Sequence, residues 1–170
     1  MEAKLIINGC EIKVGIELLT KFTHSLPDDE SMNDIFHVLA TSDSENIRGF
    51  IAYQDTISVE TALLLLNDVS DLVLSRIVRN QIAKTVIDKD ILERIISRGN
   101  DATLEEIGLN FHDYEKVSPE FTINKLLEKG SLISILSIAG NYDTPSKFLK
   151  QLAHHSGPDI SRTAKNTLAP

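Results

Sequence analysis

The chain has 170 residues, 42% of them hydrophobic and 25% charged, which is enough apolar material for a core and excludes a disordered or fibrous class. A formal net charge of -8 argues against a direct grip on DNA or RNA, because that grip needs clustered Lys and Arg against phosphates. Aromatics make up only 5% and Trp is absent, so the core is aliphatic and the expected class is mainly α.

The first element expected is a β-hairpin. KLIINGCEIKV has two short apolar stretches around Asn8-Gly9, a strong two-residue turn signal. A helix over Ile16 to His24 follows, and LPDDE links it to the rest of the chain. Residues 1–30 therefore read as a hairpin-and-helix cap on a larger domain at 31–170. An open strand edge that pairs with a partner's strand is the functional alternative for this segment.

From residue 31 the chain repeats itself. The segments SMNDIFHVLA, SVETALLLLN, IDKDILERII, SPEFTINKLL and TPSKFLKQLA start near residues 31, 58, 87, 118 and 144, spaced 26 to 31 residues apart. Each carries an i, i+3 apolar pair: Phe36 and Leu39, Leu63 and Leu66, Leu92 and Ile95, Ile123 and Leu126, Leu149 and Leu152. That spacing puts both side chains on one face of a short helix. The opening Ser or Thr in four copies is a natural N-cap, and Pro119 and Pro145 fit the first helical position.

A second helix is expected in each unit from apolar pairs four apart: Ile47 and Ile51, Leu74 and Val78, Leu104 and Gly108, Ile135 and Ala139, Ile160 and Ala164. Gly108 is the imperfect member. Asn80, Asn110, Asn141 and Asn166 follow two residues later and read as left-handed helix stops. The longer unit from residue 87 places its extra residues around FHDYEKV. Two short helices cannot bury their faces alone, so the expected architecture is an α-solenoid of about five helix pairs, with residues 31–170 continuous.

At Ala139, Asn141, Thr144, Pro145, Leu149, Leu152, Ala153, Ile160, Ala164 and Asn166 the chain resembles the bacterial leucine-rich repeat variant, a relative in architecture of HEAT and armadillo solenoids. The resemblance implies a scaffold for interactions rather than a reaction. Some members hold an iron-sulfur centre on an N-terminal cysteine cluster, which the lone Cys10 cannot form. Asn166 to Pro170 resembles the junction that elsewhere opens a unit, so the chain ends where another helix pair would be expected, and the final unit is capped by self-association, covered by a partner, or cut from a longer protein. The polar last helix ISRTAKN favours a tolerable free end, hence a monomer or weak homodimer.

Cys10 also excludes an intramolecular disulfide and fits a reducing, cytoplasmic setting. The N-terminus has no basic-then-apolar leader, and the longest apolar run, ALLLL at 62–66, is far shorter than a membrane span. Neither a membrane anchor nor an export signal is expected.

Candidate sites are few. No phosphate loop, nucleophile elbow or HExxH appears, so no catalytic, cofactor or metal residue is assigned and a non-enzyme is expected. His154 and His155 read as helix-end residues beside the Gly157-Pro158 turn. Asp28, Asp29, Glu30, Asp34, Asp43 and Glu45 gather in the front half, which carries 7 basic against 13 acidic residues over positions 1–85. Arg76 and Arg79, three apart on a second helix, suit a carboxylate or a neighbouring unit.

The leading expectation is a protein-protein interaction module. The alternative is an acidic inhibitor or immunity protein neutralising a basic toxin or nucleic-acid-binding enzyme, since complementary charge steers association. A HEAT-like DNA-repair glycosylase is a distant third, because the chain lacks a basic face.

Overall fold

A computed structural model describes residues 3–7 and 10–169. The chain is mainly helical, with twelve α-helices and one two-stranded sheet among the described residues. No helix of these residues is long and apolar enough to cross a membrane. Residues 1–83 and 84–170 form two compact units.

The first unit opens with β1 (Ala3–Ile7) and β2 (Cys10–Val14), paired antiparallel with Leu5 opposite Ile12. The expected turn at Asn8-Gly9 lies outside the described residues. Helix α1 (Ile16–Thr23) agrees with its expectation to one residue. A 3-10 turn at Glu30–Met32 leads into α2 (Asn33–Leu39) and α3 (Glu45–Ile51), followed by α4 (Val59–Leu65) and α5 (Asp71–Ile77). Helix α3 packs between α1 and α5, while α2 packs on α4.

Each second-helix pair of this unit is buried: Ile47, Ile51, Leu74 and Val78 have almost no accessible surface. A fully buried side chain of this size contributes roughly 1.5–3 kcal/mol of hydrophobic stabilisation. The first-helix pattern needs one correction. Leu63 is 37% exposed, while Ala62 and Leu65 are buried in its place. The caps set the register: Ser58 accepts from the Thr61 amide at 3.2 Å, and Asp88, not Ile87, caps α7 by accepting from the Ile91 amide at 2.9 Å. Counted from the caps, Ala62 and Leu65 match Leu92 and Ile95. Four leucines in a row leave the face undetermined until the cap fixes it.

Short helix α6 (Gln81–Val86) contains the boundary between the units. The second unit continues with α7 (Lys89–Arg98), α8 (Asp101–Leu109), α9 (Pro119–Lys129), α10 (Leu132–Gly140), α11 (Ser146–Leu152) and α12 (Pro158–Leu168). Helix α10 packs between α8 and α12, and α7 packs on α9. Ion pairs cross the first helices: Lys125 meets Glu93 at 3.0 Å, and Lys147 meets Glu120 at 2.7 Å. Gly108 is a packing requirement rather than a defect. A Cβ there would stand 3.0 Å from the Ser134 carbonyl oxygen, so its absence lets α10 approach α8 closely.

Two hydrogen-bond arrangements recur between successive helix pairs. The Ser70 hydroxyl, at the N-cap position of α5, donates to Glu45 at the start of α3 (2.6 Å); the Ser131 hydroxyl, at the N-cap position of α10, donates to Asp101 at the start of α8 (2.8 Å). At the opposite helix ends, the Asn80 amide donates to the carbonyls of Ala52 and Gln54 just after α3, and the Asn141 amide donates to the Leu109 carbonyl at the end of α8. Each such bond contributes about 1 kcal/mol net.

Asn80 and Asn141 therefore tie one helix pair to the next, and the left-handed stops expected at Asn110, Asn141 and Asn166 are not found. Asn110 and Asn141 have φ of -111° and -86°, and Asn166 lies inside α12. The left-handed helix end is Gly130, with φ 76°. Two caps also differ from expectation. Ser31 lies in the 3-10 turn, where its amide and hydroxyl both donate to Asp29, so α2 starts at Asn33. Pro145 occupies the N-cap position of α11, and the buried Thr144 hydroxyl donates back to the Ile138 carbonyl at 2.7 Å.

The stretch 110–117 is non-helical, as its length suggested, and it buries Phe111, Tyr114 and Val117. Lys84 pins it: an ammonium on a side chain only 5% exposed donates to Asp113 at 2.6 Å and Asn110 at 3.0 Å. Lys84→Met keeps the aliphatic stem and removes the charge. It is expected to lower the unfolding free energy by about 2 kcal/mol and to speed amide exchange across 111–117. Unchanged exchange there would show that the apolar anchors alone hold the loop.

Candidate binding cleft

The six candidate acidic residues of the front half are all exposed, and several also accept hydrogen bonds within the fold. Asp28 folds the linker back onto the loop before α4: its carboxylate accepts from the Asp55 amide (2.8 Å), the Thr56 amide (3.1 Å) and the Thr56 hydroxyl (2.6 Å). Partial burial opposes its ionisation, but the Thr56 hydroxyl and the two amides outweigh it and hold the carboxyl below the usual carboxylate range. Asp29 is engaged with Ser31 and Glu45 with Ser70. Glu30 is exposed in the 3-10 turn, and Asp34 is exposed beside His37, Val38 and Glu60 around a shallow hollow. Asp43 is exposed, and its carbonyl accepts from Arg48 at 3.2 Å.

Arg48 and Asp68 form an ion pair that no sequence signal announced, since the residues are twenty apart and on no common helix. The guanidinium bonds both carboxylate oxygens, at 2.6 and 2.9 Å, and also reaches the Ser42 carbonyl at 2.8 Å. Their side chains are 15% and 7% exposed. For Asp68, burial opposes ionisation, yet Arg48 and the Ser70 amide prevail and push its carboxyl down. The hydrogen bond that Arg48 donates to Asp68 raises the pKa of the guanidinium. This pair is internal fastening.

Arg76 and Arg79 are the basic pair expected to meet a carboxylate or a neighbouring unit. The structure brings both to the wall of a cleft of about 220 Å³ in the first unit, with Tyr53, Asp55, Asn80 and Gln81. An adjoining hollow of about 280 Å³ shares Tyr53, Arg76 and Arg79 and adds His24 and Phe50. The two rings meet edge-on at 4.4 Å. Tyr53 is 62% exposed in the turn after α3, and Arg76 is half-buried in the last turn of α5. Among the described residues no carboxylate lies within ion-pair distance of Arg76.

Local sequence explains the placement. Arg76 lies in the last turn of α5, where the helix dipole favours cations, whereas Arg79, expected on the same helix, lies in the turn two residues past its end at Ile77. Tyr53, His24 and Gln81 come from other elements, so a single-helix pattern could not find them. A guanidinium such as that of Arg76 beside an exposed tyrosine can hold a planar anion by paired hydrogen bonds while the ring packs against its apolar stem.

Among the described residues no group of three or more His, Cys, Asp or Glu side chains could hold a metal ion. The His155 ring accepts from the Gly157 amide at 2.9 Å, a turn-forming role at the end of the α11 segment. No protein-family model, curated protein or solved structure matches the chain.

Proposed function

We propose that the protein is a non-enzymatic interaction module, a helical-repeat scaffold of the α-solenoid kind capped by its N-terminal hairpin, that holds another protein. The repeated Ser-to-acid and Asn-to-carbonyl bonds between successive helix pairs support the repeat reading. The observation that carries the function is the cleft at Arg76: a half-buried guanidinium without a carboxylate partner, next to an exposed tyrosine. Arg and Tyr are the residue types that most often anchor protein interfaces. The acidic-inhibitor reading draws less support, because the exposed carboxylates of Asp28, Asp29 and Glu45 each accept hydrogen bonds within the fold.

Affinity capture with the intact chain and with Arg76→Ala and Tyr53→Ala, at low and moderate salt, tests this. A stoichiometric protein retained by the wild type and lost with both variants is the expected outcome. A partner retained equally by all three overturns the assignment to this cleft. A basic partner released by Asp34→Lys or Glu30→Lys instead favours the inhibitor.

A further inference from the structure

We propose that the Arg76 cleft receives a glutamate or aspartate side-chain carboxylate from an acidic peptide segment of the partner, an assignment that rests on the interaction reading above. Arg76 is set in place before any ligand arrives. Its guanidinium lies against α3 where Gly49 leaves room, since a Cβ on Gly49 would sit 3.1 Å from Nη1 and 3.4 Å from Leu72. The chain has 25 acidic and 17 basic residues, and Arg48 is matched by Asp68 within the same unit. Arg76 is left without such a match among the described residues. A partly buried cation without a counter-ion is the arrangement that an incoming carboxylate relieves, through two parallel N-H to O bonds.

The lining selects the anion. Asp55 shares the cleft wall and repels a doubly charged phosphoryl group more strongly than a singly charged carboxylate, and it can accept from a peptide N-H of the segment. Tyr53 offers its ring to the methylenes of the acidic side chain, and Gln81 can both donate and accept. A volume of about 220 Å³ falls below the roughly 300–1,000 Å³ of small-molecule sites and suits one side chain. The hollow beside it, floored by His24 and Phe50, leaves room for the next residue of the segment.

The probe is the peptide acetyl-Glu-Glu-Leu-Glu-Glu-amide, titrated into the isotope-labelled full chain while the arginine Nε-H resonances are followed by NMR. Its all-glutamine counterpart and inorganic phosphate are run alongside. Saturable shifts at Arg76 with the acidic peptide are expected, at least about tenfold weaker with the other two probes. Arg76→Gln should weaken the acidic peptide by about tenfold or more, and Gly49→Ala, which displaces the guanidinium without removing it, by a few-fold. Unchanged melting temperatures keep both variants interpretable, and Arg76→Lys replaces Arg76→Gln if the latter unfolds. No saturable shift at Arg76, phosphate binding as tightly as the peptide, or unaltered affinity in the Arg76 variant overturns the proposal. If the peptide fails while protein capture still depends on Arg76, the carboxylate assignment falls and the interaction reading stands; loss of both removes both.

Discussion

Asp68→Ala is expected to destabilise the first unit by about 3–5 kcal/mol, a large share of the roughly 5–15 kcal/mol that holds a domain folded. The substitution strands the Arg48 guanidinium, 15% exposed, with its hydrogen bonds to the Ser42 and Asp43 carbonyls and no carboxylate bonded to it directly in Asp68's place. It also removes the acceptor for the Ser70 amide. Chemical denaturation of the variant measures the loss. Replacing both partners by apolar residues, Arg48→Met with Asp68→Leu, should recover most of it, because no buried charge is then left unmatched. A double variant as unstable as the single would instead place the stability in the hydrogen bonds to Ser42 and Ser70.

The same carboxylate sets an acid limit. Its folded pKa lies below the unfolded value of about 3.9, so its contribution is complete above that pH and fades as pH falls through the lower, folded value. Wild-type stability should drop in the window below about pH 4, and the double apolar variant should show a shallower slope there. Equal slopes would assign acid sensitivity to other carboxylates, of which Asp28 is the nearest in kind.

Asn80→Ala carries the second large effect. This buried amide donates to the Ala52 and Gln54 carbonyls at 3.3 and 2.7 Å and accepts from the Ile82 and Ala83 amides at 2.9 and 3.3 Å. Truncation leaves two carbonyls and two amides without partners, a cost of about 3 kcal/mol. It should loosen the turn after α3 that carries Tyr53, so faster amide exchange at 52–55 accompanies the lower stability. Asn80→Asp separates the two halves of the role: it keeps the acceptor and turns the donor contacts into repulsion. A variant as stable as wild type would show that the link between helix pairs is held by packing alone.

Much of the helical order was legible in the sequence, because capping and periodicity are local. Ser58 and Ser118 cap as their positions suggest, Pro119 takes the first helical position, and every second-helix apolar pair is buried. What failed depended on neighbours. Leu63 slipped to the outside because a run of leucines fits two faces, and Thr144 turned its hydroxyl back to Ile138 because a carbonyl at the end of α10 needed a donor. The asparagine spacing was visible, but its meaning was not, since the partners of Asn80 and Asn141 lie one helix pair earlier.

The candidate site follows the same division. Arg76 and Arg79 stood out as a pair on one helix, while Tyr53, His24 and the clearance at Gly49 come from separate segments. Among the acidic residues, charge could be counted but not its use. Asp28, Asp29 and Glu45 are exposed and also serve as hydrogen-bond acceptors within the fold.

Photo-crosslinking from position 53 tests the interaction reading most directly. Tyr53 is replaced by benzoylphenylalanine in the full chain, expressed in its native host, with Val59 on α4 replaced in the same way as a control. A single protein adduct from position 53, absent from position 59 and abolished by Arg76→Ala in the same chain, is the expected result. Adducts of equal yield from both positions, or none from position 53, would contradict a protein-binding cleft at Arg76.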